Sequence, residues 1–305
     1  MTLSNRTPEL LNALPLAKKL QRLPDTNKAH SGKVLCIGGS VGMAGALLLT
    51  AKSALHSGAG YIMLCMLDSH SAHALAGQPE LMIESGQVSD LTHDPIAYLQ
   101  RIQPNVIAIG PGLGSTPLAK AWLGAVLRDY AMVSSLGAIV FDADALNLIA
   151  TDKALGAALQ NCTLPCILTP HPGEAARLLG LSNEQVKADR FAAVRRLQEL
   201  WGGACLLKGA GSLLCFAESG VEGALSHIEV CTEGNPGMAT GGMGDVLSGM
   251  IGAFLAQGLS LADSLRCAVC IHGESADLAA AAAGERGLLP TDLLQHIRQL
   301  VNNSQ

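Results

Sequence analysis

The sequence predicts an α/β fold: a mostly parallel central sheet with helices on both faces and an antiparallel edge. Three observations predict it. Short apolar runs recur along the chain without the alternation of a half-exposed strand, so both faces of each strand must be covered. Segments with helical spacing lie between those runs. From residue 204 the runs follow one another across short glycine turns, which is the pattern of hairpins.

Taken in order, a polar lead over residues 1–30, helical or extended, precedes the apolar run VLCIGG at 34–39, and helical spacing follows over 45–57. YIMLCM (61–66), NVIAIG (105–110), AIVFDA (138–143), CILT (166–169) and ACLLK (204–208) repeat the strand signal. Helices are expected at 116–129, 144–150, 173–180 and 184–200, with turn residues at most of their ends. LLCFA follows ACLLK across GAGS, and SHIEVC at 226–231 completes the edge; from Asp245 onward the chain reads as helix. No linker, charge block or low-complexity tract divides it, so a single domain over 1–305 is expected.

Composition narrows the function. A net charge of -5 and 3% aromatic residues leave no basic excess for nucleic acid or an acidic membrane face, and few rings for stacking on bases. The longest weakly polar run, 246–259, is shorter than the roughly 18–20 residues that span a bilayer. The N-terminus has no apolar stretch behind a basic start, so a cytoplasmic protein is expected. Of the nine cysteines, Cys36, Cys65, Cys205 and Cys215 lie in strand-like runs and are read as reduced core residues.

No G-x-G-x-x-G follows a strand, and no phosphate-loop G-x-x-x-x-G-K-[ST] occurs. Instead, five glycine-rich or polar turns fall at the carboxyl ends of apolar strands, where open α/β sheets bind ligands. The most informative segment is GNPGMATGGMGDVLSGMIGAFLAQG at 234–258. Val246, Leu247, Met250, Ile251, Phe254 and Leu255 have helical spacing, so a buried helix starts close to Asp245. Its free N–H groups face Gly241, Gly242, Met243 and Gly244, an anion site beside a carboxylate that can serve as a base. An ordinary aspartate cap with glycine turns would read similarly, but the density of glycines weighs against it.

The segment GNPGMATGGMGDVLSG closely resembles the signature of the ADP- or ATP-dependent (S)-NAD(P)H-hydrate dehydratases, members of the ribokinase-like superfamily. GGSVGMAGA (38–46), GPGLG (110–114), DADALN (142–147), TPHPGEAARLLG (169–180) and KGAGS (208–212) match in the same order. The resemblance covers about residues 30–275 and implies a ribokinase-like three-layer sandwich. It also implies a repair reaction: ADP or ATP phosphorylates the ring hydroxyl of the S form of hydrated NADH or NADPH, and loss of phosphate restores the dihydropyridine. By the resemblance, Asp245 takes the hydroxyl proton and the backbone of Gly242, Met243 and Gly244 stabilises the transferring phosphoryl group. Ala46, Gly112, Gly114 and His171 contact the hydrated nucleotide together with Asp245. Lys208, Gly209, Ala210, Gly211, Ser212 and Gly244 hold ADP and the AMP left behind. Glu174 is read as a ligand of Mg²⁺ through water. Of Asp142 and Asp144, one is expected to cap the following helix and the other, preferably Asp142, to face the cleft.

Ser212 and Met243 stand where many relatives carry threonine; the first keeps a hydroxyl, and the second puts the weight on backbone N–H groups. ADP preference follows only from resemblance to bacterial members, as does a homotetramer. The family also occurs fused behind an epimerase domain, for which the residues ahead of Val34 are too few, so a separate epimerase or spontaneous epimerisation is expected. Two rival functions are a ribokinase-like kinase of a small alcohol, of thiazole or hydroxymethylpyrimidine type, and a non-catalytic nucleotide sensor. HPGE and GPGLG argue against the kinase, and Asp245 against the sensor. A zinc site from Cys162, Cys166, Cys267 and Cys270 is discounted because the last two lie in an apolar helical run. His272-Gly273-Glu274 lacks the Cys-Cys context of a deaminase.

Overall fold

The computed structural model describes residues 9–10, 20, 27–28, 30–68, 78–83, 94–216 and 227–302. Most of the predicted lead at 1–30, Ala217 and Ser226 lie outside them. The strands are β1 (Glu9–Leu10), β2 (Lys33–Gly38), β3 (Tyr61–Met66), β4 (Met82–Ile83), β5 (Val106–Ile109), β6 (Ala138–Phe141), β7 (Cys166–Leu168), β8 (Ala204–Leu207), β9 (Ser212–Phe216) and β10 (His227–Cys231). They form one sheet in the order β1-β10-β9-β8-β7-β6-β5-β2-β3-β4. All neighbours pair parallel except β8 with β9 and β9 with β10. The antiparallel character predicted for the edge therefore resides in β9 alone, and β10 returns to the direction of β8.

The helices are α1 (Ala44–His56), α2 (Pro95–Ile102), α3 (Pro117–Arg128), α4 (Ala143–Thr151), α5 (Lys153–Gln160), α6 (Pro172–Leu179), α7 (Asn183–Ala188), α8 (Arg190–Trp201), α9 (Met243–Ala256), α10 (Leu261–Ala283) and α11 (Leu293–Asn302). Where a single helix is expected over 184–200 there are two. Ser182 starts α7 with a capping box, the extended Asp189 ends it, and the Asp189 carboxylate then accepts from Ala192 N–H to start α8. No described helix is long and apolar enough to cross a membrane.

Burial follows the layers. On one face Leu35, Ile37, Ile107, Ile109, Ile139 and Phe141 pack against Trp122, Leu123, Leu146 and Leu197 from α3, α4 and α8. On the other, Val106, Ala108, Val140, Ile167 and Leu206 meet Val246, Met250, Ile251 and Phe254 of α9 and Leu265 and Ile271 of α10. Helix α9 is covered on nearly all sides, and its glycines let it lie close to α1: a Cβ on Gly249 would meet the Thr50 carbonyl oxygen at 2.0 Å. All nine cysteines are free, and all but Cys162 are buried.

Candidate active site

The carboxyl ends of β2, β5, β6, β7 and β8 converge on the N-terminus of α9, and every predicted site residue lies on a turn or helix start at this end. The turns are tied together through backbone. Gly39 and Ser40 N–H groups donate to the Pro111 and Gly112 carbonyls, and Lys208 N–H donates to the Pro170 carbonyl at 2.9 Å. Gly110 has φ +131 and lies so close to β6 that a Cβ would meet the Asp142 carbonyl at 1.8 Å, so only glycine fits.

At the centre stands a buried polar cluster. Asp142, 1% exposed, accepts from Lys208 Nζ through Oδ1 at 2.7 Å and from Ser248 Oγ through Oδ2 at 2.7 Å. Asp142 occupies the N-cap position of α4 but makes no side-chain cap bond; its carboxylate is committed to the cluster. Asp144 accepts from Gly114 N–H at 2.8 Å. The expectation that one of the two acids caps α4 thus gives way to a division in which Asp142 serves the cluster and Asp144 anchors the GPGLG turn. Ala143, between them, has φ +48, an uncommon conformation for a residue with a Cβ.

Gly242 is the N-cap of α9 with φ +98, and Gly244 and Asp245 occupy its first turn. A Cβ on Gly244 would come within 3.1 Å of Lys208 Nζ and 3.6 Å of Asp142 Oδ2. The helix start, the ammonium and the buried carboxylate therefore share one small volume. Burial, reinforced by Asp142 and offset in part by Lys208, raises the Asp245 carboxyl to about 6. Burial draws the Lys208 ammonium down, but Asp142, Glu174 and Asp245 together hold it above its ordinary value. A base that loses its proton near neutrality beside a fixed cation and a helix N-terminus suits proton removal coupled to phosphoryl transfer.

His171 and Glu174 form a reciprocal capping box at the start of α6. His171 Nδ1 accepts from the Gly173 and Glu174 N–H groups at 3.0 and 3.3 Å, and Glu174 Oε2 accepts from His171 N–H at 2.8 Å. Burial, then Lys208, lower the His171 pKa, so the ring is neutral with its proton on Nε2, 3.3 Å from Glu174 Oε1. Glu174 is 4% exposed, and burial raises its carboxyl to about 7 against the pull of Lys208.

The turn Gly209–Gly211 projects at the rim. Ser212 Oγ donates to the Gly209 carbonyl at 3.1 Å, so its hydroxyl braces the turn. Gly112 faces α1, where a Cβ would meet the Met43 carbonyl at 2.5 Å and the Ala46 Cβ at 3.3 Å; Ala46, Gly112 and Gly114 thus line one wall. Two contributors escape the sequence reading. Ser248 carried a usable signal, lying three residues beyond Asp245 on the same helical face. Arg190 did not: from α8 it donates to the Ala210 carbonyl at 2.6 Å and the Leu207 carbonyl at 3.3 Å, clamping the turn from below.

Fold and site define a ribokinase-like α/β protein in which a glycine-capped helix start lies beside a buried carboxylate and an ammonium. Comparison with known proteins sharpens this. A family model described as NAD(P)H-hydrate dehydratase matches residues 34–299, and the chain belongs to that family. It is 41% identical over 297 residues to the bifunctional NAD(P)H-hydrate repair enzyme Nnr of Coxiella burnetii, covering 97% of this chain and 55% of that protein. It is 36% identical over 283 residues to the ADP-dependent (S)-NAD(P)H-hydrate dehydratase of Neisseria meningitidis serogroup B, covering 92% of this chain and 88% of that one. The chain thus spans about half the length of the bifunctional relatives. Among solved structures, a ribokinase-like superfamily protein of Enterococcus faecalis V583 superposes with TM-score 0.81 at 28% identity, over 100% of this chain and 99% of that one.

Proposed function

We propose that the chain catalyses ADP-dependent dehydration of the S form of hydrated NADH or NADPH, giving NAD(P)H, AMP and phosphate. The observation that carries it is the juxtaposition of Asp245, raised to about 6, with the start of α9 and Lys208. The ring hydroxyl of the hydrate gives its proton to Asp245 as its oxygen attacks the β-phosphorus of ADP. The bond from that phosphorus to the AMP oxygen breaks, and the N–H groups around Gly242, Met243 and Gly244 carry the charge of the transferring group. Elimination then breaks the ring C–O bond, whose electron pair leaves with phosphate, while the neighbouring ring carbon gives up a proton to water and the electron pair of that C–H bond becomes the restored ring double bond.

In this reading Lys208 and the Gly209–Ser212 turn hold the nucleotide phosphates, while Ala46, Gly112, Gly114 and His171 border the hydrate. The names of the relatives favour the dehydratase over a kinase of small alcohols. The Neisseria protein's ADP dependence supports ADP as donor.

Mg²⁺ suits the donor set. Asp142, Glu174 and Asp245 are hard oxygen donors with more negative charge than Lys208 offsets. Among the described residues they do not converge into a three-ligand cage, which fits a cation held jointly by one carboxylate, waters and phosphates. Bound there, the ion would neutralise phosphate charge, with Glu174 as its outer ligand. A cytoplasmic homotetramer supplied with substrate by a separate epimerase completes the proposal; light scattering tests the assembly.

The test incubates the chain and Mg²⁺ with hydrated NADH and either ADP or ATP, following the near-ultraviolet absorbance of the dihydropyridine and release of phosphate. Recovery with stoichiometric AMP from ADP is expected. No recovery with either nucleotide from folded protein that binds AMP would overturn the proposal.

A further inference from the structure

Outside the active site, the sequence singles out clustered cysteines, and the structure groups them differently from their spacing. Cys162 lies against Cys166, Sγ to Sγ 3.8 Å. Cys270, midway along α10, meets Cys231 at the end of β10 and Glu233 just beyond it. The donor atoms of Cys231, Glu233 and Cys270 all lie within 4.8 Å of one another. Cys231 Sγ donates to Glu233 Oε2 at 3.0 Å, and Cys270 Sγ reaches the same oxygen at 3.9 Å. Both thiols are buried, at 2% and 3% exposure, whereas Glu233 is half-buried and gives the cluster a path to solvent.

These separations bracket those of a thiolate-bound metal site. Tetrahedral Zn²⁺ with Zn–S bonds of roughly 2.3 Å and Zn–O bonds of roughly 2.0–2.2 Å sets neighbouring ligand atoms roughly 3.5–3.8 Å apart. Thiolates select zinc-like ions over Mg²⁺ or Ca²⁺. The surroundings are already braced. Gly234 N–H and Asn235 Nδ2 donate to the two Asp277 carboxylate oxygens at 2.9 and 2.8 Å, and Thr232 N–H donates to Glu233 Oε2 at 3.1 Å. Asp277 lies on α10 two turns beyond Cys270 and anchors the same loop.

We propose that Cys231, Glu233 and Cys270 form a binding site for a zinc-class divalent cation, with two thiolates, one carboxylate and a water as its fourth ligand. Each thiol releases its proton as its sulfur binds the metal, so one ion displaces two protons. The ion bridges β10, the loop at 233–235 and α10. That loop leads into the glycine-rich segment before α9, so the metal would brace the approach to the active site without touching substrate.

The test uses the full, reduced chain stripped of metal and then given Zn²⁺ or Co²⁺. We expect one equivalent of Zn²⁺ to bind in competition with a chromophoric chelator, and Co²⁺ to give a thiolate-to-metal charge-transfer band in the near ultraviolet. Cys231→Ser and Cys270→Ser should each weaken Zn²⁺ binding at least tenfold and diminish the band, whereas Cys162→Ser should leave both unchanged. Absence of the band from the wild-type chain overturns the proposal even if the variants fail to fold. Persistence of the band in both Cys231→Ser and Cys270→Ser, or its loss in Cys162→Ser, would also overturn it.

Discussion

Glu174→Gln is expected to stabilise the ligand-free chain by an amount that grows with pH. Glu174 is 4% exposed, and burial, opposed by Lys208, raises its carboxyl from 4.5 to about 7. An acid whose folded pKa lies above its unfolded value holds its proton more tightly in the fold. Stability is therefore lost as pH rises from 4.5 through 7, and the loss is complete above that range. At about 1.36 kcal/mol per pH unit, the ionised carboxylate costs about 3 kcal/mol at pH 8.5, roughly 2 at pH 6 and roughly 1 at pH 5. Glutamine keeps an acceptor for the His171 N–H, which now bonds Oε2 at 2.8 Å, and removes the charge. Urea unfolding of both proteins at the three pH values measures the difference directly, because titration of the other groups largely cancels. A gain that is equal at all three, or a loss at pH 8.5, would refute the claim that this carboxylate is buried at a cost.

Three further outcomes follow from the same cluster. Asp245→Asn should lower kcat by about 10²–10⁴ while leaving the fold intact, and the wild-type rate should fall as pH drops below about 6, where Asp245 takes up its proton; a pH–rate profile flat between 5 and 8 would contradict it. Asp142→Asn leaves Lys208 short of its buried partner at 2.7 Å and should cost about 3 kcal/mol in chemical denaturation. It should also move the acid limb of the rate profile to lower pH, since Asp142 helps raise Asp245. Gly244→Ala places a methyl 3.1 Å from Lys208 Nζ and should raise the KM for nucleotide more than it lowers kcat, as read from initial rates at varied ADP.

The strands were legible because parallel strands covered on both faces show as unbroken apolar runs: YIMLCM coincides with β3, and the other predicted strands agree within one or two residues. The two-residue strands β1 and β4, and helices α2 and α5, were not foreseen. A short edge strand leaves no period to detect, and α5 begins two residues after α4 ends, where Asp152 caps it by accepting from Ala154 and Leu155 N–H groups. The glycine-rich turns that gather at one end of the sheet could be read because glycines clustered after an apolar run mark a turn in any context. Residues that act from beneath could not. Arg190 lies on a polar helix like any other arginine until the fold brings it to the Ala210 carbonyl. The grouping of Cys270 with Cys231, rather than with Cys267, depends on how α10 crosses the end of β10.

The charge arrangement explains why such a site needs its ligands to be complete. Asp142, Glu174 and Asp245 act together on Lys208, and two of the three carboxyls, Glu174 and Asp245, are pushed toward neutrality by burial and by Asp142. Adding a nucleotide diphosphate would worsen this balance were it not for the N-terminus of α9, whose free N–H groups and dipole favour anions. A divalent cation would turn the repulsion between phosphates and carboxylates into attraction. Because such coupling is reciprocal, nucleotide and cation each strengthen binding of the other; the cation draws protons from Glu174 and Asp245, and the phosphates oppose it. Binding of the cation would thereby favour the carboxylate form of Asp245, the form the proposed reaction needs as its base. The resting site instead holds that base partly protonated, because burial and the neighbouring acids disfavour its charge.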